Sequence, residues 1–385
     1  MNGSSARIAC RDGTEGGYLL AYLGCRFGQS SLLRLGVGSV QRHLNLEDLP
    51  VVEVSYPNVL ARAYIGDKVR QAEHLRAWAK RTESLIADEF DSLVKDPLQA
   101  QRTWRASSSD LDPYRINPKH YDPVVLDLLR RAEKNGHRLQ ALGELFGPRQ
   151  MSGGATPKGA QYFSEGVLFA RVQNVKPLRL DLSDAAYIDK AADDELARSR
   201  CAVDDVILSI TGYPGTAALV TEDDLPVNIN QHSVRFDVKA GVLPGFVCAA
   251  LNSKFVKYQV DRLAIGGTRD ALDYPSVSRL LIPRFDVEVE IAIDESVRDF
   301  VAAVKLSQRL TTAAKLLVEA LIEGRVTEAD LIAAQQALSS GSDHLDRALL
   351  ARLKTDGFDG SGDHLFSDLD QLYELLTQAE HDDNN

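Results

Sequence analysis

The segment ITGYPGTAALVTEDDLPVNINQHSVRF, residues 210–236, carries side chains suited to binding rather than to bond making. Asn228, Asn230 and Gln231 each set a donor beside an acceptor, the pair that matches the major-groove edge of adenine, and the same groups serve equally well to tie a loop backbone together. Gly212 and Gly215 flank Tyr213-Pro214, a spacing that permits a tight turn and a close approach to another backbone. Elsewhere Thr156, Lys158 and Gln161 follow a Gly153-Gly154 corner, Arg171, Gln173 and Asn174 close an apolar run, and Arg269 follows Gly266-Gly267-Thr268. An arginine on a glycine-rich loop can fork onto guanine or clamp a phosphate. Lys176, Arg179 and Lys254 add positive charge suited to phosphate.

No reactive constellation accompanies these groups. There is no glycine-rich loop ending in Lys-Ser or Lys-Thr, no Asn-Pro-Pro-Tyr-type tetrad, and no compact Asp/Glu-x-Lys cluster in a strand context. Tyr121-Asp122-Pro123 lacks the asparagine and repeated proline of such a tetrad. The eight histidines are scattered, and His232, inside a strand pattern, reads as a core or rim residue. Cys10, Cys25, Cys201 and Cys248 have neither zinc-ligand nor disulfide spacing, so they read as buried thiols of a cytosolic protein. The expectation is a chain without metal, cofactor or catalysis of its own.

The elements that must position these loops follow from an internal repeat. GYLLAYLGCRFGQSSLLRLGVGSVQRHL, from Gly17, aligns without a gap on GFVCAALNSKFVKYQVDRLAIGGTRDAL, from Gly245, at an offset of 228 residues. Leu23 matches Leu251, Phe27 matches Phe255, Arg34-Leu35 matches Arg262-Leu263 and Leu44 matches Leu272. The register continues onto Ile65 with Ile293 and Val69-Arg70 with Val297-Arg298. Each copy predicts a short helix (LLAYLGCRF, VCAALNSKF), a glycine corner, a strand (PVVEV, RLLIP) and a long helix, over about 61–93 and 294–323. Their three-and-four apolar spacing favours two equivalent helices packed on each other. Residues 149–290 predict strands at GVLFARVQNV, CAVDDVILSITG, TAALV and HSVRFDV, preceded by helices near 123–133 and 139–145.

With 385 residues and 44% apolar content the chain can hold two or three cores. Of its net charge of -11, most lies in 324–385, where 13 acidic residues face 4 basic ones, leaving 42 against 40 in the rest. A near-neutral body of this kind can carry a local basic face but not a basic field all over. The tail reads as an acidic, partly ordered appendage with weak helices. No apolar run is long enough for a membrane span, and MNGSSARIACRDG has no signal-peptide character.

GGATPKGAQYFSEGVLFARVQNV, YIDKAADDELARSRCAVDDVILSITGYPGTAALV, VNINQHSVRF, LNSKF and IGGTRDALDYPSVSRLLIP, in that order, resemble a target recognition domain of the specificity subunits of type I restriction-modification systems. The resemblance covers about residues 110–323, and 17–93 again as a second copy. It implies an α+β fold in which strand-rich recognition domains alternate with two antiparallel spacer helices. It also implies double-stranded DNA and adenine methyltransferase subunits as partners, with a translocating restriction subunit in a cleaving complex. Because Asn-Ile-Asn-Gln looks recurrent in the family, the resemblance favours a loop-shaping role for Asn230 and Gln231, with Gly212, Gly215, Gly266 and Gly267, and leaves base or phosphate contact to Thr156, Lys158, Gln161, Arg171, Gln173, Asn174, Lys176, Tyr213, Asn228 and Arg269.

The implied division is a truncated first recognition domain at 1–58, a first spacer helix at 59–94, a complete recognition domain at 95–290, a second spacer helix at 291–323 and the appendage at 324–385. The first copy has no counterpart of the Gly-x-Thr-Pro and Asn-Ile-Asn-Gln motifs. A fragment, a half-type or circularly rearranged subunit, and a subunit completed by a second copy or an upstream chain all fit that departure. Two functional classes follow: a DNA-recognition subunit, or an interaction protein that kept the fold and lost sequence-specific binding.

Overall fold

The structure, a computed structural model, describes the chain except for residues 1–6, 11, 38–42, 96–102, 106, 109–110, 112–117, 158, 160, 267–269 and 384–385. In chain order the helices are α1 (Gly13–Gly24), α2 (Arg26–Leu35), α3 (Val59–Asp91), α4 (Pro123–Lys134), α5 (Lys190–Glu195), α6 (Pro244–Asn252), α7 (Lys254–Leu263), α8 (Tyr274–Arg279), α9 (Val287–Ile322), α10 (Glu328–Ser339), α11 (His344–Ala351) and α12 (Leu369–Asp383). The strands are β1 (Arg138–Ala141), β2 (Ser152–Gly153), β3 (Val167–Ala170), β4 (Val175–Lys176), β5 (Leu178–Leu180), β6 (Ala186–Ile188), β7 (Val206–Ser209), β8 (Ala217–Leu219), β9 (Val227–Ile229), β10 (Ser233–Phe236), β11 (Leu281–Arg284), β12 (Leu353–Lys354) and β13 (Gly357–Phe358). Two compact units result, one of Met1–Arg81 with Ala302–Asn385 and one of Thr82–Val301.

The 82–301 unit holds a six-stranded sheet in the order β2-β10-β7-β8-β5-β4 and a three-stranded sheet in the order β6-β3-β9, with β3 and β9 parallel. Every residue of β7, β8, β9 and β10 is buried, and the apolar runs of β7 and β8 are what a sheet covered on both faces requires. Ala170, Val175, Leu180, Ile207, Ala218, Val227 and Ile229 form one core between them. Helix α6, apolar all round and buried from Pro244 to Leu251, packs on β5, β7 and β8. Strand β11 pairs antiparallel with β1, Leu139 facing Pro283. At the last turn of α3, Phe90 packs on Phe246 and edge-on to Phe285, two residues before α9.

In the other unit α3 and α9 pack together, with Arg76 donating to the Ser307 carbonyl and the Thr311 hydroxyl. The C-terminal residues fold onto α3. Asp346 of α11 accepts from Tyr64, Lys68 and Tyr373, and Lys68 and Asp346 are both fully buried. Trp78 donates to Asp382 and Gln335 to Asp67. Leu349, Leu350, Leu353, Phe358, Phe366, Leu372 and Ala379 give this region its own apolar interior, so the segment expected to be partly ordered is folded as far as Asp383.

Local geometry follows the repeat register closely. Helices α3 and α9 start at Val59 and Val287, 228 residues apart, and the α1/α2 and α6/α7 breaks fall at Cys25 and Ser253. Each of these capping residues accepts a backbone N–H three residues on, from Gly28 and Val256. The isolated bridge Val37 to His43 has its counterpart in Ile265 to Ala271. Three local expectations fail. The stretch 139–145 is β1 plus a 3-10 turn, because β11 offers it a partner. PVVEV is a 3-10 turn at Leu49–Val51 followed by residues with no strand partner among the described residues. Helix α9 begins seven residues earlier than expected, since Val287-Glu-Val-Glu-Ile alternates like a strand.

Candidate nucleic-acid interface

Four loops meet at one end of the strand layer. Strands β3 and β9 run parallel, Ala170 beside Ile229, and the Asn230 N–H donates to the Ala170 carbonyl, so Arg171 and Asn230-Gln231 emerge side by side. The Ile210 N–H donates to the His232 carbonyl, and Gly154 donates to the Ser233 carbonyl. The Thr156 hydroxyl donates to the Gln231 carboxamide oxygen. On the far side Gly212 donates to the Asp270 carbonyl, Leu272 to the Ile210 carbonyl, and Thr211 bridges Ala271.

Glycine is required where these loops touch. A Cβ on Gly153 would collide with the Tyr274 hydroxyl, and one on Gly154 would fall 2.2 Å from the Ile229 carbonyl oxygen. Gly212 and Gly215 turn the 211–215 loop with φ of +88° and +91°, the left-handed region that side chains avoid. The turn is held from inside, where the Ser209 hydroxyl donates to the Tyr213 carbonyl and accepts from the Thr216 N–H. Tyr213 at its tip is 86% exposed.

The sequence candidates separate into three groups. Thr156, Gln161, Gln173, Lys176 and Tyr213 are exposed and Arg171 is half-buried, donating to the Asp184 carbonyl. Asn174 and Asn228 are corrected: both are fully buried and face inward. Asn174 bonds to the Arg171 N–H, the Asp181 carbonyl and Asp184, while Asn228 bonds to Ser199, Asp193 and the Leu196 carbonyl. Neither can reach a base edge without dismantling the loop it holds. Asn230 is buried and accepts from the His232 N–H, while Gln231 is exposed on Thr156. Lys158, Gly267 and Arg269 lie outside the described residues; Gly266, beside them, has a φ of +146°.

Two of the candidate cations face carboxylates. Lys254 forms a 2.7 Å ion pair with Asp91, which raises its pKa, so this cation is already matched; Arg179 lies 3.6 Å from Asp181. Burial lowers the pKa of Lys257, whose ammonium lies 3.5 Å from the Thr216 hydroxyl behind the 211–215 turn. Burial also raises Asp261 one turn further on, against the pull of Lys119 and Lys257. Sequence reasoning missed the aromatic content of this surface. Tyr274 is a large exposed side chain against the Gly153 corner, and stacking on a base is open to it; Tyr162 and Phe163 are exposed too, packed on Phe169 and bridged to Tyr187. Aromatics adjoining Gly-rich loops were the available signal.

No family model matches the chain, and comparison with curated proteins gave no match. Solved structures do match. The HsdS subunit from Thermoanaerobacter tengcongensis is 14% identical over 80% of this chain and 69% of that one, with a TM-score of 0.33. The type I restriction-modification system S subunit from M. genitalium is 13% identical over 80% and 73%, with a TM-score of 0.43. The chain is similar to S subunits of type I restriction-modification systems. A further match, from a study of complex assembly and conformational transition of the type I R-M system, is 16% identical over 87% and 70%, with a TM-score of 0.35.

Proposed function

We propose that this chain is a DNA-recognition subunit that directs an adenine methyltransferase or restriction complex to its target. The observation that carries this reading is the convergence of the four loops. Segments picked out by composition and motif, at 153–156, 171–174, 210–215 and 230–232, meet at one end of one sheet system and leave Thr156, Gln173 and Tyr213 exposed there. Such a surface suits differential binding. Phosphate contacts set register and base contacts choose the sequence. Buried Asn174 ties the 171–184 segment together, and Asn228 ties β9, which leads into 230–232, to residues 193–199, so the exposed side chains are presented without a large ordering cost on binding.

The chain performs no chemistry itself in this reading. Methyl transfer belongs to adenine methyltransferase subunits, and cleavage, where it occurs, to a translocating restriction subunit; the paired α3 and α9 are the spacer and docking surface, and the assembly works in the cytoplasm. The test is duplex selection from a random pool by the full chain mixed with its methyltransferase. A single enriched sequence, lost in Tyr213→Ala with Gln173→Ala, supports the reading. Enrichment without sequence, or the same sequence from the methyltransferase alone, overturns it. Salt dependence alone decides nothing, because phosphate attraction produces it at any sequence.

A further inference from the structure

Lys257, on α7, is a cation whose counter-ion is missing from the folded chain. Its side chain is half-buried, and burial lowers its pKa. The ammonium lies 3.5 Å from the Thr216 hydroxyl, longer than a full hydrogen bond. Among the described residues no carboxylate comes within ion-pair distance of it. Asp261, one turn on, is drawn more strongly by Lys119 than by Lys257. Other cations of the same unit are matched: Lys254 pairs with Asp91, Arg284 pairs with Glu290, and Arg262 donates to the His120 carbonyl. Withdrawing an ammonium from water without a partner of this kind costs free energy.

The helix itself does not ask for the charge. Gln29 stands at the matching position of the first copy, in a helix of the same ten residues, where it is exposed and donates to the Leu23 carbonyl. What Lys257 has beside it is the 211–215 turn. Gly215 lies so close to Val260, one turn after Lys257, that an added Cβ would fall 2.9 Å from a valine methyl. Lys257 and Thr216 therefore stand at the foot of the turn whose tip is the exposed Tyr213.

We propose that Lys257, with the Thr216 hydroxyl beside it, clasps one backbone phosphate of the DNA met by the Tyr213 turn, and that this phosphate is the counter-ion the free chain lacks. The proposal rests on the DNA-recognition reading and names a residue that sets its register. An ammonium and a hydroxyl this close can donate to two oxygens of one phosphate, and a lysine acts there as a point charge with no preference among bases. The unanswered charge of the free chain is thus neutralised on binding, at every sequence alike.

The test compares the native chain, Lys257→Gln and Lys257→Arg, each as the full chain with its methyltransferase, on the selected and a shuffled duplex over a range of salt. Lys257→Gln is expected to weaken both duplexes by about tenfold, to leave their ratio unchanged, and to make the log–log salt slope shallower by about 1. Lys257→Arg is expected to restore the slope. Without DNA, Lys257→Gln should melt no lower than the native chain, because it removes a charge that nothing in the fold answers. An unchanged salt slope overturns the proposal. So does a lowered melting temperature with a collapsed preference, since Lys257 is then a prop of the turn. Equal binding of the two duplexes by the native chain would instead sink the recognition reading, while the slope comparison would still decide whether Lys257 meets a phosphate.

Discussion

The two repeat copies differ in what each long helix is asked to hold. Along α3, Tyr64, Lys68 and Trp78 are bonded by the C-terminal region through Asp346 and Asp382. In α9 the residues matching Tyr64 and Lys68 are Ala292 and Ser296, and the nearby anchor is instead Asp294, which accepts from the Gly245 N–H at 2.6 Å and pairs with Arg298. One helix is built to carry a folded acidic appendage, the other to cap the first helix of the strand-bearing copy. The two copies thus differ in the side chains at matching positions of their long helices, while the helix starts keep the 228-residue register.

The largest break in that comparison is expected from Asp346→Ala. It strands the buried Lys68 ammonium and removes the acceptor of two tyrosines, so a loss of about 3–5 kcal/mol is expected, read as an early transition in calorimetry. Sequence selection of DNA should survive in conditions where the chain stays folded. Asn228→Ala is its counterpart in the 82–301 unit. Leaving the Ser199 and Asp193 partners unsatisfied should cost about 1–3 kcal/mol and, unlike Asp346→Ala, weaken DNA selection in the same preparation.

Gly17→Ala against Gly245→Ala sharpens the comparison further. An added Cβ at Gly17 meets the Gly66 carbonyl oxygen at 2.7 Å, and one at Gly245 meets at 2.6 Å the Asp294 carboxylate that holds the Gly245 N–H. Both substitutions should therefore destabilise by about 1–3 kcal/mol, the range for overpacking, in paired denaturant titrations, Gly17→Ala by pushing α1 off α3 and Gly245→Ala by displacing the cap of α6.

The smallest effect is set by pH. Hydrogen bonds from the Thr327 hydroxyl, from Arg347, from the Gly362 and Ser361 amides, and from Arg352 lower the pKa values of Asp330, Asp343, Asp356 and Asp359 respectively. With folded values below unfolded ones, their contribution is present above about pH 4 and fades as pH falls through the folded values. Trp78 fluorescence, followed in a Trp104→Phe background, should report the C-terminal region loosening on acidification. A trace unchanged across that range would show that these carboxylates do not hold the region in place.

Much of this architecture was legible because repeats and helical stripes are written in residue types. The offset of 228 carried the caps at Cys25 and Ser253 and the starts at Val59 and Val287. What remained hidden depended on partners distant in sequence. Arg138–Ala141 is a strand because β11 pairs with it, and Leu49–Val51 is a 3-10 segment with no strand partner among the described residues. The candidate site was legible as a set of loops and not as a set of contacts. Thr156 and Gln231 are 75 residues apart yet bonded, while Asn174 and Asn228, which look like base readers in isolation, point into loop interiors. No periodicity fixes which way an asparagine faces at the end of a strand.

The central claim is that the loop surface around Tyr213 and Gln231 chooses a DNA sequence. It is tested most directly by equilibrium titration of the full chain, with its methyltransferase, against the selected duplex and a shuffled duplex at one fixed salt concentration. The expected preference is about 10³-fold or more, falling sharply in Tyr213→Ala, a side chain that is 86% exposed. Equal affinity for the two duplexes, or a preference unmoved by changes to these loops, would contradict it.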